Sequence, residues 1–285
     1  MVDAMQDFLS DLPIIGDFMT QRPKVAVVRM AGVIADTSAR KGGISYAKYA
    51  GLIEQAFEVR DVREVAIVIN SPGGAPAQCA MLGSVIRQCA AEKKVPVTAF
   101  VEDVAASGGY WLACAADKIY VQPSSVVGSI GVIAAGFGFE DFIKKHNVKR
   151  RVYTAGEDKG MLDPFQPEKK SDVERIQKLQ RDIHQQFIGW VKERRGARLK
   201  DDNLFEGQIW TGNMAIPLGL VDAVGDLRGV MHEKYGSKVR LMEFAPERPF
   251  LQSLMGVRGP DMKQGLVEEA LHVVEERAEW QRFGL

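Results

Sequence analysis

Val65-Ala66-Ile67-Val68-Ile69-Asn70-Ser71-Pro72-Gly73-Gly74 and, further on, residues 97–110, VTAFVEDVAASGGY, are built alike: a β-branched apolar run that ends in a turn with paired glycines. Each run is too short for a helix and apolar on both alternating faces, which is the pattern of a strand covered on both sides of a parallel sheet. Working outward, KVAVVRM (24–30), KIYVQ (118–122) and RRVYT (150–154) supply three more candidate strands. Between them, Tyr49, Leu52, Ile53, Ala56 and Phe57, and then Leu82, Val85, Ile86 and Cys89, repeat at helical spacing. Strands alternating with amphipathic helices from residue 24 to 155 predict an α/β fold of βαβ units. Val173, Ile176, Leu179, Ile183, Phe187 and Trp190 mark a longer helix over 167–195, and Leu266, Ala270, Leu271 and Val274 a second one after Pro260. With no internal repeat or low-complexity linker, the expected layout is an N-terminal segment 1–23, one main domain 24–245 and a helical C-terminal extension 246–285.

Composition narrows the function. In 285 residues, 37 Lys+Arg balance 37 Asp+Glu, so no overall basic field draws nucleic acid, and none is expected as a partner. Three cysteines, an odd count without metal-ligand spacing, read as small buried hydrophobes, suggesting neither a disulfide framework nor a zinc site. The first residues carry acids at positions 3, 7, 11 and 17 and no basic stretch, unlike a secretory leader. The uncharged stretch Ile119–Phe139 is long enough to span a bilayer but holds Gln122, Pro123, Ser124, Ser125, Ser129 and four glycines, and reads as buried loop and strand. The expectation is a cytoplasmic protein without a transmembrane segment. Phe8, Leu9, Leu12, Ile14, Ile15, Phe18 and Met19 offer at most peripheral membrane contact or packing on a neighbouring subunit.

Chemistry is expected at the two glycine turns. Ser107 stands at a strand-to-helix turn flanked by Ala and Gly, the arrangement of a nucleophile elbow. In open α/β sheets such turns gather at the carboxyl ends of adjacent strands, which would let the Gly74 and Gly108 amides converge as an oxyanion hole. A serine hydroxyl needs a base. His184, His232 and His272 lie among Lys, Glu and Gln in helical stretches and read as solvated surface, while His146 reads as the end of a short helix, so a Ser-His-Asp triad has little support. A lysine can serve only as the neutral amine, for which burial must lower its pKa from about 10.4. Lys159, in TAGEDKGMLDPF (154–165), follows a candidate strand and leads into apolar residues, although composition alone makes it a loop charge.

NSPGG, then DVAASGGYWLACAADKIYVQPSSVVGSIGV, then TAGEDKGMLDPF, in that order, resemble the signal peptide peptidase A (protease IV) family of Ser/Lys serine proteases over roughly residues 24–240, including the later GQIWTG (207–212) and LGLVD (218–222). The resemblance implies a crotonase/Clp-protease-like α/β spiral with a helical C-terminal part. It implies Ser107 as nucleophile, Lys159 as general base, Ser129 as the hydroxyl that orients the lysine, and Gly74 and Gly108 as the oxyanion hole. It further implies a serine endopeptidase that requires no metal or organic cofactor and acts on signal-peptide remnants or other unstructured peptides, assembled as a homo-oligomer whose neighbouring subunits complete the groove. Kinship of fold leaves two rivals: an acyl-CoA hydratase or thioesterase, and an inactive scaffold. The Clp-type variant lacks its histidine, since none occurs between Ser107 and His146, and a hydratase would need carboxylates where only Asp117 lies between Gly109 and Glu140.

Overall fold

β1 (Lys24–Ala31), β2 (Val62–Ser71) and β3 (Val97–Ala106) lie side by side and parallel at the centre of the sheet. The computed structural model describes residues 22–36, 43–156, 158–246 and 280, 281 and 283. Alternate side chains of these strands enter two separate cores. Ala26, Val28, Met30, Val65, Ile67, Ile69, Ala99 and Val101 face α1 (Tyr46–Phe57) and α2 (Pro76–Lys93). Val25, Val27, Ala66, Val68 and Phe100 face Met231 from the opposite side. That two-sided burial is why the strands read as unbroken apolar runs. Each fully buried Val or Ile contributes about 1.5–3 kcal/mol.

After β3 come α3 (Gly108–Ala113), β4 (Lys118–Val121), β5 (Val126–Gly128), α4 (Glu140–Lys145) and α5 (Lys170–Arg195). β6 (Ile209–Thr211), α6 (Gly212–Ala215), β7 (Ala223–Val224), α7 (Leu227–Tyr235) and β8 (Arg240–Phe244) complete the order. The sheet runs β6-β5-β3-β2-β1-β8, with β4 pairing on β3 and β7 on β4, and every pairing among the described strands is parallel except β5 with β6. β3 changes neighbour along its length. Its first half, Thr98–Val101, pairs with β4, and its last three residues, Val104–Ala106, pair with β5.

Several expectations are corrected. RRVYT forms no strand: residues 150–154 are exposed, Tyr153 at 89%, and pair with no strand among the described residues. The Ile119–Phe139 stretch is buried only through Ile130; residues 133–139 are exposed, with Phe137 at 82%. The α5 stripe is buried only toward its C-terminal end, where Phe187 and Val191 meet the core and Trp190 packs on Trp111, while Leu179 stays exposed. Strands β6, β7 and β8 have no counterpart among the expected ones. The 1–23 segment but for Arg22 and Pro23, the apolar stripes at Phe8–Met19 and Leu266–Val274, His272 and most of the 246–285 extension lie outside the described residues.

Candidate active site

β3 delivers Ser107 to the start of α3 with φ 50° and ψ −120°. A non-glycine residue in that region costs about 1–3 kcal/mol, which its neighbours must supply. Two backbone bonds hold it: Ser107 N–H donates to Gly128 O at 2.8 Å, and Trp111 N–H donates to Ser107 O at 3.0 Å. α3 is buried along all six of its residues, yet Ser107 itself is half-buried and reaches the surface. Trp111 anchors the helix by stacking on Phe187 at 4.8 Å and accepting the Trp190 Nε1–H on its carbonyl at 2.9 Å.

The turn after β2 presses against this elbow. A Cβ built on Gly73 would lie 2.8 Å from Ser107 Cβ and 2.9 Å from Gly108 N, so no other residue fits there without movement. Ser71 Oγ accepts the Gly73 N–H at 3.2 Å from inside the turn. Ile34 zips along its far side, donating to Gly73 O at 2.7 Å and accepting from Ala75 N at 2.7 Å. That ladder skips the Gly74 N–H. A Cβ on Gly108 would stand 3.2 Å from Gly74 N, so the two backbones converge. Among the described residues neither the Gly74 nor the Gly108 amide donates to a protein acceptor. Two N–H groups without a protein acceptor thus lie beside one serine, and donors so placed can in general bind an oxygen that gains negative charge.

Ser129 follows Gly128, the residue whose carbonyl receives the Ser107 N–H. It is half-buried and held at φ 53° by an antiparallel clamp: Ser129 N–H donates to Gln208 O at 2.6 Å, and Gly207 N–H to Ile130 O at 3.2 Å. Trp210 of the clamp lies over Gly128, where a Cβ would sit 2.6 Å from its ring. This explains the GQIWTG segment, which forms β6 and fixes the Ser129 turn. A histidine missed by sequence reasoning also takes part. His184 is half-buried rather than solvated, and its Nε2 lies 3.2 Å from Ile130 O, so that nitrogen carries the proton. Helical spacing alone held no signal for this contact, which depends on how α5 crosses the β5 end.

Lys159 is placed differently. It is exposed, in a turn where its own N–H donates to Gly156 O at 3.3 Å. Neighbours tie this excursion down: Asp158 pairs with Arg175 at 2.5 Å, Arg150 with Asp163 at 3.0 Å, and the Asp172 carboxylate accepts the Leu162 N–H at 3.2 Å. Among the described residues no hydrogen bond or ion pair engages Lys159 Nζ, and none links it to Ser107 or Ser129. The chain therefore brings Ser107, Gly74 and Gly108 together with the Ser129 turn beside them, and leaves Lys159 exposed.

Asp117, the acid that a hydratase would have to recruit, is otherwise engaged. It pairs with Arg87 at 2.8 Å and Arg194 at 3.3 Å and accepts the Val97 N–H at 2.9 Å.

The sequence model described as "Peptidase family S49" matches residues 90–238, which include Ser107, Ser129 and Lys159. A Brucella abortus protein named "Na(+)/H(+) antiporter NhaA" is 48% identical over 94% of this chain and 38% of its own length. Haemophilus influenzae "Probable protease SohB" is 33% identical over 69% of this chain and 56% of its own. The chain thus spans less than two thirds of either curated relative. Among solved structures, a mutant of the "1510-N membrane-bound stomatin-specific protease" in complex with a substrate peptide superposes with TM-score 0.53 at 17% identity, over 82% of this chain and 96% of that one, and so shares its fold. Among the described residues no helix is long and apolar enough to cross a membrane.

Proposed function

Because the chain belongs to peptidase family S49, we propose that it hydrolyses peptide bonds as a serine endopeptidase with Ser107 as nucleophile and Lys159 as general base. The observation that carries this reading is the pair of unpaired amides, Gly74 and Gly108, converging beside a serine held at φ 50°. Neutral Lys159 takes the Ser107 hydroxyl proton as Oγ attacks the scissile carbonyl, whose oxygen becomes an anion held by the two amides. The lysine then gives that proton to the leaving amine, takes one from the water that attacks the acyl-enzyme, and returns it to Ser107 Oγ as the new carboxyl product leaves. Ser129 orients the amine.

The exposure of Lys159 supports a further part of the reading. Within one copy Lys159 is exposed and engages neither Ser107 nor Ser129, so in this reading a second copy of the chain covers the loop or supplies the lysine, completing a groove for an extended, unstructured peptide such as a signal-peptide remnant. The acyl-CoA reading is less well supported, since Asp117 is consumed by Arg87 and Arg194. The relative named as an antiporter is matched over only 38% of its length, so ion transport is not carried over to this chain.

The test is cleavage of an unstructured fluorogenic peptide by the wild type, Ser107→Ala and Lys159→Ala. Both variants should lose activity by about three orders of magnitude or more, as members of a unit do, while remaining folded. Near-normal turnover by Lys159→Ala contradicts the dyad.

A further inference from the structure

β3 does not run straight into Ser107. Ile69 of β2 pairs with Val101, and Ser71 pairs with Ala105, so Asn70 alone stands opposite Glu102, Asp103 and Val104. Two extra residues on one strand make a bulge, which bends the strand, leaves backbone groups unpaired and re-aims whatever follows. The bulge lies where β3 exchanges β4 for β5 as its neighbour.

The Asn70 side chain fills the gap. Its Oδ1 accepts the Val104 N–H at 3.2 Å, and its Nδ2 donates to Asp103 Oδ2 at 2.7 Å. Only this amide orientation works, because the backbone N–H cannot accept and the carboxylate cannot donate. From the opposite side the buried Ser125 hydroxyl donates to Glu102 O. The Asn70 carbonyl is itself fixed by the Gly32 N–H at 2.9 Å. Its backbone continues into the Gly73–Gly74 turn, while its side chain shapes the strand end three residues before Ser107.

We propose that Asn70 is a positioning residue for Ser107, acting through the β3 bulge: its amide sets the angle at which the serine enters the site relative to the Gly74 and Gly108 amides. This rests on the reading of Ser107 as nucleophile. What matters is the donor-acceptor pattern, so isosteric Asn70→Asp, which turns the donor toward Asp103 into a second carboxylate, should damage the site. Adding Asp103→Asn should repair it, because donor and acceptor then exchange places.

The full chain is assayed on an unstructured fluorogenic peptide as wild type, Ser107→Ala, Asn70→Asp, Asn70→Asp/Asp103→Asn and Asp103→Ala, with unfolding temperatures measured in parallel. Misplacing a reacting group by a fraction of an ångström to an ångström costs up to about 100-fold, so Asn70→Asp should lose about 10- to 100-fold in kcat with KM within about threefold. The double variant should return to within about threefold of wild-type kcat. Asp103→Ala, which keeps the Val104 bond and removes only the anchor of Nδ2, should lose kcat by a smaller factor and serves if Asn70→Asp does not fold. Wild-type kcat in both Asn70→Asp and Asp103→Ala, or a folded double variant no better than Asn70→Asp, overturns the proposal. Full activity in Ser107→Ala overturns the nucleophile reading instead, so the two failures are distinguishable.

Discussion

Gly108 shows how little room the elbow leaves. Its φ is ordinary, so alanine is conformationally acceptable there, but the new methyl would meet Cys79 Sγ at 2.5 Å and Gly74 N at 3.2 Å. The first contact is with a side chain and the second with a proposed oxyanion donor. Gly108→Ala should therefore lose about 1–3 kcal/mol of stability by overpacking, together with most peptidase activity. Cys79→Ala added to it should return part of the stability and none of the activity, as urea denaturation and peptide cleavage would show. Recovery of activity would mean that the Gly74 amide is not used. Burial also pushes the Cys79 thiol up to about 12, which keeps it neutral and removes it as a competing nucleophile. That the two glycine turns meet beside Ser107 could be read from the sequence, because a glycine-flanked turn at a strand end is a local property of the chain. His184 and Asn70 were not, because their partners, Ile130 and the pair Asp103 and Val104, are 54, 33 and 34 residues away.

Among elements, the strands that carry the site were legible and the short ones that clamp it were not. KVAVVRM, VAIVIN and VTAFVE are buried on both faces, so their composition alone betrays them. RRVYT has the same local signal and stays exposed, since a strand forms only where a partner strand pairs with it and none does so here among the described residues. IWT, by contrast, is only three residues long and becomes β6 because the β5 edge is open. The LGLVD segment acts through Asp222. Its carboxylate receives Arg195 Nη1 at 2.8 Å and Nη2 at 3.2 Å and the Ile119 N–H at 2.7 Å, and Arg195 is 2% exposed. Burial raises the carboxyl's pKa, but these bonds and the charge of Arg195 outweigh it and hold the group below the ordinary carboxylate value. The contribution is therefore complete above the unfolded value of about 3.9 and disappears as the pH falls through the lower folded one. Asp222→Asn strands Arg195 without its counter-charge and should cost about 3 kcal/mol or more. Urea denaturation at neutral pH checks the loss, and a series down to pH 3 should show wild type and variant drawing together.

At the scale of the molecule, the excursion between Ser129 and α5 sets the remaining question. It holds Lys159 and exposes the apolar side chains of Ile133, Phe137, Phe142, Val152 and Tyr153. That exposure leaves no mark on composition, since an uncharged stretch reads alike whether a neighbour within the chain or a second copy covers it. If copies of the chain complete the site, specific activity should fall on dilution in step with dissociation measured by light scattering, and a fully active monomer would contradict this. The central claim is tested most directly by reacting the protein with a serine-directed phosphonate and locating the adduct by mass spectrometry. The account predicts one adduct on Ser107, absent in Ser107→Ala and formed at least about 100-fold more slowly in Lys159→Ala, since general-base assistance supplies about that factor or more. An adduct elsewhere, or labelling of Ser107 at an undiminished rate without Lys159, would contradict it.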